Sequence, residues 1–111
     1  FGLPYIKSVG VKPGIDVAAQ IAQYRSAAGI LLDSHDRVRW GGTGEAFDWA
    51  LIPGERHTPL ILAGGLNAEN VAQAIQTVRP DAVDVSGGVE REKGIKDPSR
   101  IEAFIRGIRS V

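Results

Sequence analysis

The chain has 111 residues, enough for one domain with its own core and no need of covalent staples. Thirteen basic residues balance thirteen acidic ones, which argues against a nucleic-acid or anionic-membrane partner. Cysteine is absent, so disulfides, thiolate metal sites and cysteine nucleophiles are excluded within the chain, and no apolar run approaches the roughly 20 residues that span a bilayer.

Methionine is also absent, and the chain opens on Phe1 with no signal-peptide pattern, so its native beginning is expected to lie upstream. The first apolar run, YIKSV at 5–9, is short, aliphatic and bounded by turn formers, which predicts a buried strand. Lys7 inside it needs a partner, either substrate or a neighbouring side chain. A helical pattern follows over Ile15–Ala27, with Val17, Ala18, Ile21, Ala22 and Tyr24 on one stripe and Asp16 as N-cap. The second strand spans residues 29–33 and ends in Asp33, followed by a loop that closes on GGTG, Gly41, Gly42, Thr43 and Gly44. Only Ala46–Ile52 can supply a third helix, as two turns at most, with Trp49 packing the loop onto it. Trp40 reads as an exposed loop residue.

The third strand, 59–63, runs into Gly64 and Gly65, and a helix is predicted from Asn67 until Pro80 stops it. The fourth, 82–85, carries Asp84 within the strand and ends in Ser86, Gly87 and Gly88. The last helix is the clearest: Asp97 as N-cap, Pro98 at its first position, and Ile101, Phe104, Ile105 and Ile108 on its apolar face. Four strands alternating with helices predict an α/β fold of parallel strands joined by right-handed crossovers, within one structural unit over 1–111. A small doubly wound sheet and half of a (β/α)₈ barrel both fit that rhythm.

In either architecture the chemistry gathers at the C-terminal ends of the strands. The turns bearing Gly64, Gly65, Gly87 and Gly88 suit a phosphate, because glycine lets several backbone N–H donors approach a doubly charged group. Each turn alone could equally be a tight βα connection. Asp33 is a candidate general acid or a simple turn former. Asp84 needs either a structural hydrogen bond or a substrate hydroxyl. His35 and His57 lie in polar loops and read as solvated residues.

Taken together, LLDS, GGTGEAFDW, LAGGLNAENV, AVDVSGGVE and GIKDPSRIEAFI strongly resemble phosphoribosylanthranilate isomerases in order and spacing, from about Tyr5 to Arg109. The resemblance implies the C-terminal half of a (β/α)₈ barrel, strands five to eight, in a cytoplasmic enzyme of tryptophan biosynthesis. It also implies an Amadori rearrangement of N-(5-phosphoribosyl)anthranilate to 1-(2-carboxyphenylamino)-1-deoxyribulose 5-phosphate, with neither metal nor organic cofactor. On that likeness Asp33 is the general acid and Asp84 a substrate contact. Gly64, Gly65, Ser86, Gly87 and Gly88 form the phosphate site, and Gly41–Gly44 belong to a segment covering the substrate.

Two departures stand out. The family commonly reads SSG where this chain has Ser86, Gly87 and Gly88, so one hydroxyl is lost. The family's general base is a cysteine on the first strand, and an arginine for the anthranilate carboxylate also belongs to the other half. The chain alone is therefore expected to be inactive, and to need an N-terminal half-barrel for closure or else to self-associate. Indole-glycerol-phosphate synthase shares the two phosphate turns but not LLDS with GGTGEAFDW; a non-catalytic half-barrel module is the other alternative.

Overall fold

The computed structural model describes residues 3–11, 16–34, 49 and 52–111. Its frame is a four-stranded parallel sheet in the order β1 (Ile6–Val11), β2 (Gly29–Ser34), β3 (Leu60–Ala63) and β4 (Ala82–Val83). Each new strand is laid beside the last, so the sheet winds in one direction. A doubly wound sheet reverses its strand order, whereas a barrel wall does not.

The register divides the sheet into two unlike faces. In-register neighbours in a parallel sheet project to the same side, and successive residues alternate. Val9, Leu32 and Leu62 form one row, flanked by Ile30 and Leu60, all at 4 % exposure or less beneath the helices. The row between them, Ser8, Leu31, Ile61 and Ala82, faces the other way. There Leu31 and Ile61 are half-buried while Ser8 and Ala82 are exposed. Parallel sheets ordinarily have both faces covered; among the described residues the helices cover one side of this one.

The first two helices are shorter than their sequence patterns predict. α1 spans Val17–Gln23 with Asp16 as N-cap, its carboxylate accepting the Ala19 N–H at 3.0 Å. It stops at Tyr24, because the chain must turn back to begin β2 at Gly29, and only Val17 and Ile21 of the expected stripe are buried. α2 is Val71–Val78, four residues later than expected. Asn67 instead makes a turn, its side-chain oxygen accepting the N–H groups of Glu69 and Asn70 at 2.9 and 3.0 Å. α3, Pro98–Arg109, begins where predicted, with the Asp97 carboxylate accepting from the Ser99 N–H and Oγ and Pro98 in the first turn. Phe104 is its buried anchor, whereas Ile101 and Ile105 on the same stripe are exposed.

β4 has two residues, not the four expected over 82–85, so Asp84 lies just beyond the strand rather than within it. A feature missed in the sequence follows. A 3₁₀ turn at Gly87–Val89 leads into a small antiparallel hairpin, β5 (Glu90–Glu92) and β6 (Ile95–Lys96), whose turn uses Gly94 at φ 83°. Most of the third predicted helix, 46–52, lies outside the described residues; Trp49 and Ile52 pack against the core.

Candidate functional site

Asp33 sits at the C-terminal end of β2, in register with Gly10 on one side and Ala63 on the other. That row belongs to the uncovered face, so the carboxylate projects onto the side the helices leave open. The Asp84 N–H donates to the Leu62 carbonyl at 2.9 Å, which continues the sheet register past β4 and puts Asp84 on the same face. Its expected surroundings, apolar and mid-strand, are corrected: Asp84 is exposed.

Gly64 and Gly65 turn the chain off β3 with φ of 85° and 75°, a left-handed pair that a side chain would strain. The second glycine turn meets them. A Cβ on Gly88 would lie 1.9 Å from the Leu66 carbonyl oxygen, so the two turns touch through backbone and only glycine fits between them. Gly87 differs, since a Cβ there meets nothing within 4 Å.

The product of these constraints is one open cavity of about 300 Å³. Its lining includes Asp33, Gly64, Gly65, Asp84, Ser86, Gly87 and Gly88, from three successive strand ends. The structure thus brings all the sequence-selected residues of those strands together. Gly41, Gly42, Thr43 and Gly44, together with His35 and Trp40, lie outside the described residues. His57 is exposed at the opposite end of the sheet, beside Arg56 and Asp81.

Lys7 is not a site residue. It shares the helix-covered face with Ile30, and its ammonium lies over the Tyr24 ring, 4.8 Å from the centroid. Two residues beside the cavity escaped sequence reading. Lys96 reaches back from the hairpin to the Ser86 carbonyl at 3.0 Å, and Asn70 donates to the Gly65 carbonyl at 2.9 Å. Lys96 also pairs with Glu90 at 2.6 Å; this hydrogen bond, with a second from the Gly94 N–H, holds the Glu90 carboxyl below the usual carboxylate range. Hydrogen bonds from the Ser99 hydroxyl and N–H lower Asp97 in the same direction.

Comparison with known proteins gives a consistent result. The family model for N-(5'-phosphoribosyl)anthranilate isomerase matches residues 1–107. The isomerase of Pseudomonas putida (strain GB-1) is 58 % identical over 106 residues, covering 96 % of this chain and 52 % of the relative. That of Stutzerimonas stutzeri (strain A1501) is 57 % identical over 111 residues, covering 100 % of this chain and 54 % of its own. Among solved structures, the Thermotoga maritima phosphoribosylanthranilate isomerase superposes with a TM-score of 0.81 at 44 % identity, over 99 % of this chain and 53 % of that one. Another isomerase, solved in complex with reduced 1-(o-carboxyphenylamino)-1-deoxyribulose 5-phosphate, matches at TM-score 0.68 and 38 % identity, over 98 % of this chain and 50 % of that one. The chain spans about half the length of the curated relatives it matches. It belongs to the phosphoribosylanthranilate isomerase family.

Proposed function

We propose that the chain, as a member of this family, supplies the general acid and the phosphate site of an isomerase that rearranges N-(5-phosphoribosyl)anthranilate to the aminodeoxyribulose phosphate. The observation that carries this reading is the single cavity joining Asp33 to both glycine turns. Glycine backbones with left-handed φ on one turn, and a second turn packed directly on it, make a cradle where N–H groups can face an anion without side chains between.

With the phosphate seated there, the sugar ring extends along the open face towards Asp33. Asp33 gives its proton to the furanose ring oxygen as the C1–O bond breaks, and the anilino nitrogen lone pair forms the C=N bond of the Schiff base. Removal of the C2 proton then gives the enolamine, which tautomerises to the ketone. That second proton is taken by a base outside this chain. In the same reading Asp84, exposed at the cavity edge, hydrogen-bonds a sugar hydroxyl.

The chain corresponds, in this reading, to the C-terminal half of the barrel, strands five to eight, and its partner is the N-terminal half. The supporting observations are the one-directional winding, the face bearing Leu31 and Ile61 that the described helices leave open, and the exposed Ile6 on β1 and Ile101 on α3. Studied without an N-terminal half, the chain is expected to self-associate through those surfaces. The substrate is a small metabolite and the assignment includes a cytoplasmic location; no described helix is long and apolar enough to cross a membrane.

Fluorescence-monitored turnover of phosphoribosylanthranilate, with and without an added N-terminal half-barrel, tests the proposal. Activity that requires both halves and falls about 10²–10⁴-fold in Asp33→Asn is the expected result. No turnover in either condition, or full activity with Asp33→Asn, overturns it.

A further inference from the structure

The phosphate cradle is built from backbone, and backbone donors act only if their peptide planes are held. A peptide unit is planar and trans, so its C=O and the following N–H point in opposite directions. Gripping a carbonyl from one side therefore aims the next N–H towards the other. Two side chains outside the cavity grip carbonyls in this way.

Asn70 bridges the first turn. Its side-chain NH₂ donates to the Gly65 carbonyl at 2.9 Å, while its side-chain oxygen accepts the Asn67 N–H, also at 2.9 Å. The peptide so held carries the Leu66 N–H on its far side, and Leu66 lines the cavity. Lys96 grips the second turn. Its three ammonium protons are matched by three acceptors: the Ser86 carbonyl at 3.0 Å, Ser86 Oγ at 3.4 Å and Glu90 Oε2 at 2.6 Å. That peptide carries the Gly87 N–H on its far side, again at a cavity-lining residue. Among the described residues, neither the Leu66 nor the Gly87 N–H donates to a protein acceptor. Glu90 itself is tied down by the Gly94 N–H at 3.2 Å and, through its carbonyl, by the Arg100 guanidinium. The hairpin and the start of α3 thus form a rigid base for Lys96.

We infer that Asn70 and Lys96 are positioning residues for phosphate, each orienting one backbone N–H of the cradle without touching the ligand. The inference rests on the phosphate reading given above and adds two residues to it. All three Lys96 protons face protein acceptors, two of them at 3.0 Å or less, which separates this role from that of a phosphate-binding lysine.

The test is a titration of the chain with inorganic phosphate, followed through the backbone amide signals of Gly64, Gly65, Leu66, Gly87 and Gly88 in ¹⁵N–¹H spectra. Wild type should show saturable shifts at these amides. Asn70→Ala and Lys96→Met should each bind about 3–10-fold more weakly, the scale of one lost hydrogen bond. The largest change in amide response should fall at Leu66 for the first variant and at Gly87 for the second. Lys96→Arg should recover most of the affinity. In 0.3 M NaCl, where screening shortens the electrostatic range to about 6 Å, the Lys96→Met deficit should persist if orientation rather than charge is responsible. Unchanged unfolding midpoints exclude a general loss of structure. Saturable binding in wild type with equal affinity in both variants, or a deficit abolished by salt, overturns this inference alone. No saturable response in wild type overturns the phosphate reading and this inference with it.

Discussion

Replacing Gly88 by alanine should damage this protein far more than replacing Gly87 by serine, although the two glycines are adjacent in one turn. The added Cβ of Gly88→Ala would lie 1.9 Å from the Leu66 carbonyl oxygen, 2.9 Å from its carbon and 3.1 Å from the Asn67 Cα, and ordinary contact begins at 3.4 Å. The shortfall of about 1.5 Å is against backbone on both sides, so no side chain can rotate away and the two turns must part. Overpacking of this kind costs about 1–3 kcal/mol, and a backbone clash belongs at the upper end. For a chain of this length each kcal/mol lowers the melting temperature by about 4 °C, which predicts a fall of about 12 °C. At Gly87 the new side chain enters open space, and its φ lies outside the left-handed range. Gly87→Ser should therefore stay within about 0.5 kcal/mol, or 2 °C. Thermal unfolding followed by circular dichroism measures both. If Gly88→Ala melts within 3 °C of wild type, or Gly87→Ser falls as far as Gly88→Ala, the contact between the two turns is not as described.

Removing the Arg56 side chain should cost about 1–3 kcal/mol in urea unfolding without altering phosphate binding, since it ties the carbonyls of Pro53, Val78 and Arg79 together far from the cavity. Leu62→Ala, on the helix-covered face, should cost about 2–5 kcal/mol, whereas Ile61→Ala, one residue away on the open face, should cost less than half as much; equal losses would show that the second face is covered after all. Glu90 is held below the usual carboxylate range by Lys96, so its contribution to stability is complete above that range and is lost as pH falls through the lowered value. Urea midpoints from pH 7 to pH 3 should accordingly fall less steeply in Glu90→Gln than in wild type, and parallel curves would count against the Glu90–Lys96 pair.

The strands were legible because each buried row demands a dense aliphatic run: GILL and PLILA have few other uses. The cap of α3 was equally plain, since Asp-Pro-Ser satisfies the first-turn donors by itself. What failed did so for tertiary reasons. AVDV looks like a four-residue strand, but the paired residues end at Val83 and only the Asp84 N–H still reaches the Leu62 carbonyl, because the chain then swings towards the Leu66 turn, where Gly88 fixes how closely it passes. Asn67 reads as a helix start, yet its side chain closes a turn first and delays α2 to Val71. Lys96 and Asn70 carry no local signature, because each acts on a carbonyl several residues away that only the fold brings near.

The two ends of the sheet are built on different logic, and this bears on how such a unit tolerates change. At the ends where β3 and β4 begin, side chains are used to hold backbone in place: the Asp81 carboxylate accepts the Leu60 N–H at 2.8 Å and Arg56 closes the end of α2. At the ends where the strands finish, four glycines line the cavity beside Asp33, Asp84 and Ser86, and the side chains that hold their turns, Asn70 and Lys96, stand outside it. A glycine turn has no side chain with which to brace itself, so its support must come from residues beyond it. Substitutions at Arg56 or Asp81 should therefore register as stability, and those at Asn70 or Lys96 as ligand affinity, although all four hydrogen-bond the main chain.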